Sequence, residues 1–200
     1  MSNASPNPRS LTRSVKIVAA VCAVALSAGV VRAETVSIDQ PAVAGSTAER
    51  IFTTGEGLLF PIDPFPVCEV FNNFGGYSKT FGSGGHQGLD IGSSHRQEVY
   101  AVEHGVLYRR FDGSGSGIGW GLLSDTDTKY RYYHLDAVVE GLEVGDRVVE
   151  GQVIGYVGDT GNASPGGWHL HFEVRPGPDP HATPVDPVPL LDIPTPCNVY

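Results

Sequence analysis

His169-Leu170-His171-Phe172-Glu173-Val174 alternates polar and apolar side chains at a period of two. Such alternation describes a β-strand, with Leu170, Phe172 and Val174 turned to a core and His169, His171 and Glu173 on the opposite face. Working outward, the same texture recurs in Glu98-Val99-Tyr100-Ala101-Val102, Gly105-Val106-Leu107-Tyr108, residues 130–134 and residues 152–157. Each run has strand length, and each is bounded by Gly, Asp or Ser. The alternating glycines Gly113, Gly115, Gly117, Gly119 and Gly121 read as a flexible hairpin tip. The fold class is therefore all-β, a compact antiparallel sheet or sandwich-like domain.

Composition supports this. The chain has 200 residues, 26 of them glycine and 15 proline, and only 18% are charged, which disfavours a helical bundle. The formal charge of −9 excludes a dedicated nucleic-acid binder, because phosphate neutralisation needs a basic surface.

The ends carry different signals. Arg9, Arg13 and Lys16 precede an apolar run over residues 17–31, and Val31-Arg32-Ala33 supplies small residues at the cleavage positions. This is the pattern of a secretory signal peptide over residues 1–33, so the protein is expected in the periplasm, the cell wall or the medium. The alternative is an uncleaved anchor, but fifteen residues at ~1.5 Å each span about 22 Å, short of a ~30 Å hydrocarbon core. Membrane contact is expected only through such an uncleaved signal. Cleavage leaves nine basic against twenty-two acidic residues, a charge of −13. Residues 34–57 read as a linker, which could cover the site before activation, and residues 58–192 as the single folded domain. Residues 193–200 form a tail. Eight prolines between Pro176 and Pro196 exclude a regular closing helix or central strand there. Cys22 leaves with the signal, so Cys68 and Cys197 remain, and an oxidising compartment favours one disulfide that ties the tail back.

The histidines carry the chemistry. His86-Gln87-Gly88-Leu89-Asp90 sets an imidazole and a carboxylate four apart. On a helix that spacing shares one face, and on the extended segment favoured by the surrounding glycines it does so again. Two imidazoles and a carboxylate suit catalytic zinc, whose fourth position stays open for water. His86, Asp90 and one of His169 and His171 would supply the ligands, and the other histidine, with His134, would handle protons or stabilise an oxyanion.

The order of four segments is informative: Gly85-His86-Gln87-Gly88-Leu89-Asp90-Ile91, Tyr133-His134-Leu135, Gly158-Asp159-Thr160-Gly161-Asn162, and His169-Leu170-His171-Phe172-Glu173-Val174. Together they closely resemble the LytM/lysostaphin-type zinc endopeptidases that cut peptidoglycan cross-links. The glycine-punctuated run from Val144 to Gly155 also resembles that family's hairpin. The resemblance implies a LytM-type domain whose loops form a groove floored by one zinc ion. It implies that His86, Asp90 and His171 are the metal ligands, with His169 the catalytic base or its assistant and His134 its partner near the oxyanion. The implied substrate is the peptide stems of peptidoglycan, and the expected state is a monomer.

Small departures stand out. Trp168 precedes His169 where proline is common in the family, and His104 occupies a turn where an acidic residue is usual. Trp168 reads as a half-buried packing aromatic in preference to a groove floor. His95, His104 and His181 read as exposed polar residues, while Glu173 is either an acceptor for a ligand histidine or a salt-bridging strand residue. Two other functions are compatible with parts of the chain. One is a catalytically silent wall-binding activator of a separate amidase, against which the intact ligand set argues. The other is a lipoyl- or biotinyl-type carrier, suggested by the cadence of residues 144–158, but neither Lys79 nor Lys129 sits in the expected turn.

Overall fold

Ten strands among the described residues build the domain: β1 (Glu69–Phe71), β2 (Leu89–Gly92), β3 (Glu98–Tyr100), β4 (Gly105–Gly113), β5 (Gly117–Ser124), β6 (Lys129–Val138), β7 (Arg147–Val148), β8 (Val153–Val157), β9 (His169–Arg175) and β10 (Asn198–Val199). This computed structural model describes residues 57–76, 85–177, 179 and 181–200. The expected signal peptide, and the expected linker up to residue 56, lie outside the described residues. Among the described residues no helix is long and apolar enough to cross a membrane.

The strands form one sheet in the order β10-β1-β2-β9-β6-β5-β4-β7, with β8 pairing both β3 and β6. Every strand pair is antiparallel except β1 with β10, which is parallel. The all-β expectation holds, and a single 3-10 turn at Val188–Leu190 is the one short helical element among the described residues.

Strand β9 lies between β2 and β6 and decides where the core sits. Leu170, Phe172 and Val174 are buried together with Leu89, Ile91, Tyr130 and Tyr132. The opposite face is not the exposed polar surface that alternation alone suggests, since His171, Glu173 and Arg175 are buried as well. Their charges are met locally: Arg175 Nε donates to Glu173 Oε2 at 2.6 Å, and Arg131 Nη1 reaches the same oxygen at 3.3 Å. Buried charge is tolerated when paired in this way.

The glycines of β5 correct the flexible-tip reading. Gly119 and Gly121 lie within the strand, and a Cβ on Gly121 would meet the Tyr108 ring at 2.7 Å. They allow close packing across the sheet, so the hairpin is shorter and stiffer than the glycine count suggests.

The tail returns to the start of the domain. Cys68 and Cys197 are joined by a disulfide across 129 residues. Beside it, Asn198 N donates to Cys68 O and Tyr200 N donates to Val70 O, and Tyr200 stacks on Phe71. The chain end thereby backs β1, the strand next to β2.

Candidate active site

Neighbouring strands bring the sequence-predicted ligands together by register. Asp90 on β2 faces His171 on β9, and His171 faces Tyr133 on β6. His86 enters from the segment leading into β2. His86 Nε2 lies 2.9 Å from His171 Nδ1 and 3.1 Å from Asp90 Oδ1, and His171 Nδ1 lies 2.9 Å from Asp90 Oδ1. Three donor atoms from residues up to 85 positions apart thus converge on one point, and the trio has the composition and closeness of a metal centre. Gly88 makes room for it: a Cβ there would sit 2.6 Å from His171 Nε2 and 2.5 Å from the Phe172 carbonyl oxygen.

The surroundings hold the donors in place. Asn73 Nδ2 donates to Asp90 Oδ2 at 2.9 Å, which leaves Oδ1 turned to the trio. His171 Nε2 lies 3.5 Å from Glu173 Oε1, and the Tyr133 ring stacks on the imidazole with centroids 5.6 Å apart. Arg175 continues the chain of contacts to Gln87 Oε1, next to His86. Metal ligands are commonly oriented by such outer partners.

Electrostatics favour a cation at this point. Burial alone would raise the Asp90 carboxyl, yet its hydrogen bonds with His171 and His86 hold it well below the usual carboxylate range. Burial likewise opposes charge on His171, but Asp90 and Glu173 outweigh it and push the imidazole up to about 9. The site therefore stabilises positive charge between two carboxylates. Two imidazoles, one carboxylate oxygen and an open side match what zinc requires of a catalytic site, so the residues fit the metal.

His134 and His169 stand beside the trio, with ring centroids 4.8 Å apart. His134 occupies an unusual backbone position, with φ at 62°, a left-handed conformation costly for a residue with a Cβ. The register of β6 against β5 shifts across His134, and that against β8 shifts just after it, so the strand bulges and turns this side chain toward the groove. Its Nδ1 donates to the Thr160 carbonyl at 2.7 Å, and His169 Nδ1 donates to the Gly167 carbonyl at 2.8 Å. Each ring therefore presents Nε2 as its remaining polar atom. Burial, and then the neighbouring His169, lower His134 to about 4. A neutral His134 offers a lone pair at Nε2, so the donor role expected of it near an oxyanion requires that it first take up a proton.

Several contributors escaped the sequence reading. Asn73 lies seventeen residues before Asp90 in an irregular stretch, and no periodicity links the two. Trp168 is 41% exposed and lines a depression beside Asp90 and His169, so it belongs to the groove and not to the core. His95, read as a bland loop residue, stacks on Trp168 with centroids 5.4 Å apart and bonds Asp136 at 3.1 Å. The unusual Trp at position 168 was the one signal available in the sequence. His104 accepts a bond at Nδ1 from Glu150 N, away from the site.

The sequence matches Peptidase family M23 over residues 84–187, a span that contains all five candidate site residues. It is 30% identical over 119 residues to the glycyl-glycine endopeptidase ALE-1 of Staphylococcus capitis, covering 59% of this chain and 32% of that protein. It is 31% identical over 122 residues to an L-Ala--D-Glu endopeptidase of Bacillus subtilis, covering 54% of this chain and 36% of that protein. The match thus spans about a third of the length of these relatives. Among solved structures, a variant of the catalytic domain of the prophage-encoded M23 protein EnpA from Enterococcus faecalis aligns with a TM-score of 0.53 at 25% identity, covering 64% of this chain and 94% of that one.

Proposed function

The chain belongs to peptidase family M23, and from that premise we propose that it is a zinc-dependent endopeptidase that hydrolyses peptide cross-links of peptidoglycan outside the cytoplasm. The observation that carries the reading is the convergence of His86, Asp90 and His171 beside two histidines that each present Nε2. The activities of the relatives, glycyl-glycine and L-Ala–D-Glu endopeptidases, support the substrate class.

When bound, zinc would polarise the scissile carbonyl and lower the pKa of a water molecule toward ~7. The chain's own residues do the rest. His86, Asp90 and His171 would hold the metal, while Asn73 and Glu173 fix the orientation of two of those side chains. His169 accepts the proton of the attacking water at Nε2 and delivers it to the leaving amine. Its Nδ1–H remains on the Gly167 carbonyl throughout, so the ring keeps one tautomer. His134, neutral at rest, takes up a proton from solvent at Nε2 before the water attacks and then faces the oxyanion as a donor, a contribution of about 3 kcal/mol in comparable sites.

Mass spectrometry of fragments released from purified sacculi tests the reading. The zinc-loaded protein is expected to create paired amine and carboxyl ends, lost with His171→Ala and with chelator and restored by zinc. Absence of cleavage by protein shown to hold zinc would replace hydrolysis with a wall-binding role.

A further inference from the structure

Glu69, Gly92 and His169 form one row across β1, β2 and β9, because Glu69 pairs with Gly92 and Gly92 pairs with His169. The next row, Phe71, Asp90 and His171, carries two of the three candidate metal ligands. Alternation puts both rows on one face of the sheet. The first row therefore sets a carboxylate and a candidate catalytic histidine two strand spacings apart, about 10 Å. Gly92 between them has no side chain, and it forms the floor of a depression of about 350 Å³.

The walls of this depression differ in chemistry. Val67, Phe71 and Trp168 supply apolar surface that is more than a third exposed at each residue. Glu69 supplies charge, and among the described residues no cation pairs with it. The walls are also stiff. Trp168 is stacked on His95, Phe71 on Tyr200, and Gln97 Nε2 grips the Val67 carbonyl at 2.6 Å. A rigid apolar slot with one acid beside the reacting groups suits an aliphatic stem that ends in a cation.

We propose that the depression between Glu69 and Trp168 is a substrate subsite for a diamino-acid side chain, an aliphatic stem carrying an ammonium group, which Glu69 receives. The proposal deepens the peptidoglycan-hydrolase reading and rests on it. It sets this chain apart from an enzyme for glycine bridges, because polyglycine has no side chain to fill the slot. A D-glutamyl side chain would bring a second carboxylate against Glu69, and like charges at that range repel.

The test uses the zinc-loaded full chain and cross-linked muropeptide dimers that carry lysine, or diaminopimelate with its side-chain carboxyl amidated, with a free side-chain amine. A matched set has that amine acetylated, which removes the charge and leaves the scissile bond unchanged. Hydrolysis gives kcat/KM for both sets, and Trp168 fluorescence gives Kd in parallel. The free-amine dimers are expected to be favoured by about tenfold in kcat/KM, the scale of one charge-assisted hydrogen bond. Glu69→Gln is expected to bring that ratio close to one, and Glu69→Asp to keep part of it. Equal kcat/KM on both sets with the native protein, or a preference undiminished in Glu69→Gln, would overturn the subsite. If no dimer is cleaved but Kd still rises about tenfold on acetylation, hydrolysis fails and the subsite stands. If neither cleavage nor binding depends on the amine, the subsite fails.

Discussion

His134 donates from Nδ1 to the main-chain carbonyl of Thr160 at 2.7 Å, and that bond decides which ring nitrogen faces the groove. A carbonyl can only accept, so the proton sits on Nδ1 and Nε2 is left for chemistry. The strained backbone at His134, with φ at 62°, is held by Ser116 O, which accepts from its N–H, and by Gly158 N, which donates to its carbonyl. His134→Ala is expected to retain one zinc per chain and to lower kcat by about 10²–10³-fold. Metal analysis beside steady-state kinetics checks this. Loss of zinc would show that His134 is a ligand.

Thr160 is tied down in turn. Its Oγ1 donates to the Leu135 carbonyl at 2.7 Å and accepts from Ile118 N at 2.9 Å. Thr160→Val removes both bonds at nearly constant shape and leaves Ile118 N–H without its partner. We expect a stability loss of about 1–3 kcal/mol and a fall in kcat with zinc retained. Thermal unfolding and kinetics on the same preparation separate the two effects.

Metal affinity should fall in a graded series. Asp90→Ala and His171→Ala each remove a donor atom and are expected to abolish zinc retention after dialysis. Asn73→Ala keeps all three donors but releases Asp90 Oδ2, so it should weaken zinc by about 10–100-fold without abolishing it. Competition with a chromophoric chelator measures all three. Equal affinity of Asn73→Ala and the native protein would remove Asn73 from the site.

Gly88→Ala tests the close approach beneath His171. The new methyl would meet the Phe172 carbonyl and the His171 ring at contacts far below van der Waals distance. Overpacking of this kind costs about 1–3 kcal/mol, and here the imidazole must move. Reduced stability together with weakened zinc binding is the expected outcome, read by thermal unfolding and chelator competition. Reduced stability alone would mean that the backbone gives way and His171 does not.

The disulfide should matter for stability. Cys68 and Cys197 close a loop of 129 residues, for which the chain-entropy account allows up to about 5 kcal/mol. Cys68→Ser with Cys197→Ser is expected to lower the thermal midpoint by several degrees or more. Reductant should do the same to the native protein and nothing further to the double variant.

Much of this site was legible because its chemistry is local. His86-Gln87-Gly88-Leu89-Asp90 and His169-Leu170-His171 announce a metal in the identity and spacing of a few residues, and in the structure those residues do meet. The period-two pattern of residues 169–174 likewise names a strand wherever it lies. The same pattern failed on its polar face, because alternation reports which residues share a side and not what covers that side. Glu173 and Arg175 are buried there because they pair with each other, and a hydrophobicity pattern has no means of anticipating a pair. Glycine spacing misled for a related reason: Gly119 and Gly121 are required by the approach of other strands and not by a turn.

From the sequence alone came the strand texture, the likeness of four ordered motifs to zinc endopeptidases, and the residue types able to bind zinc and move protons. These are properties of short segments, fixed by side-chain chemistry and by the two-residue repeat of an extended backbone. Only the tertiary structure decided that Asn73 holds Asp90, that the Thr160 carbonyl sets the tautomer of His134, and that Glu69 and His169 flank Gly92 in one row of the sheet. Each of these depends on strand order and register, which bring together residues distant along the chain. A shift of one residue in any of those ladders would turn the same side chains to the opposite face.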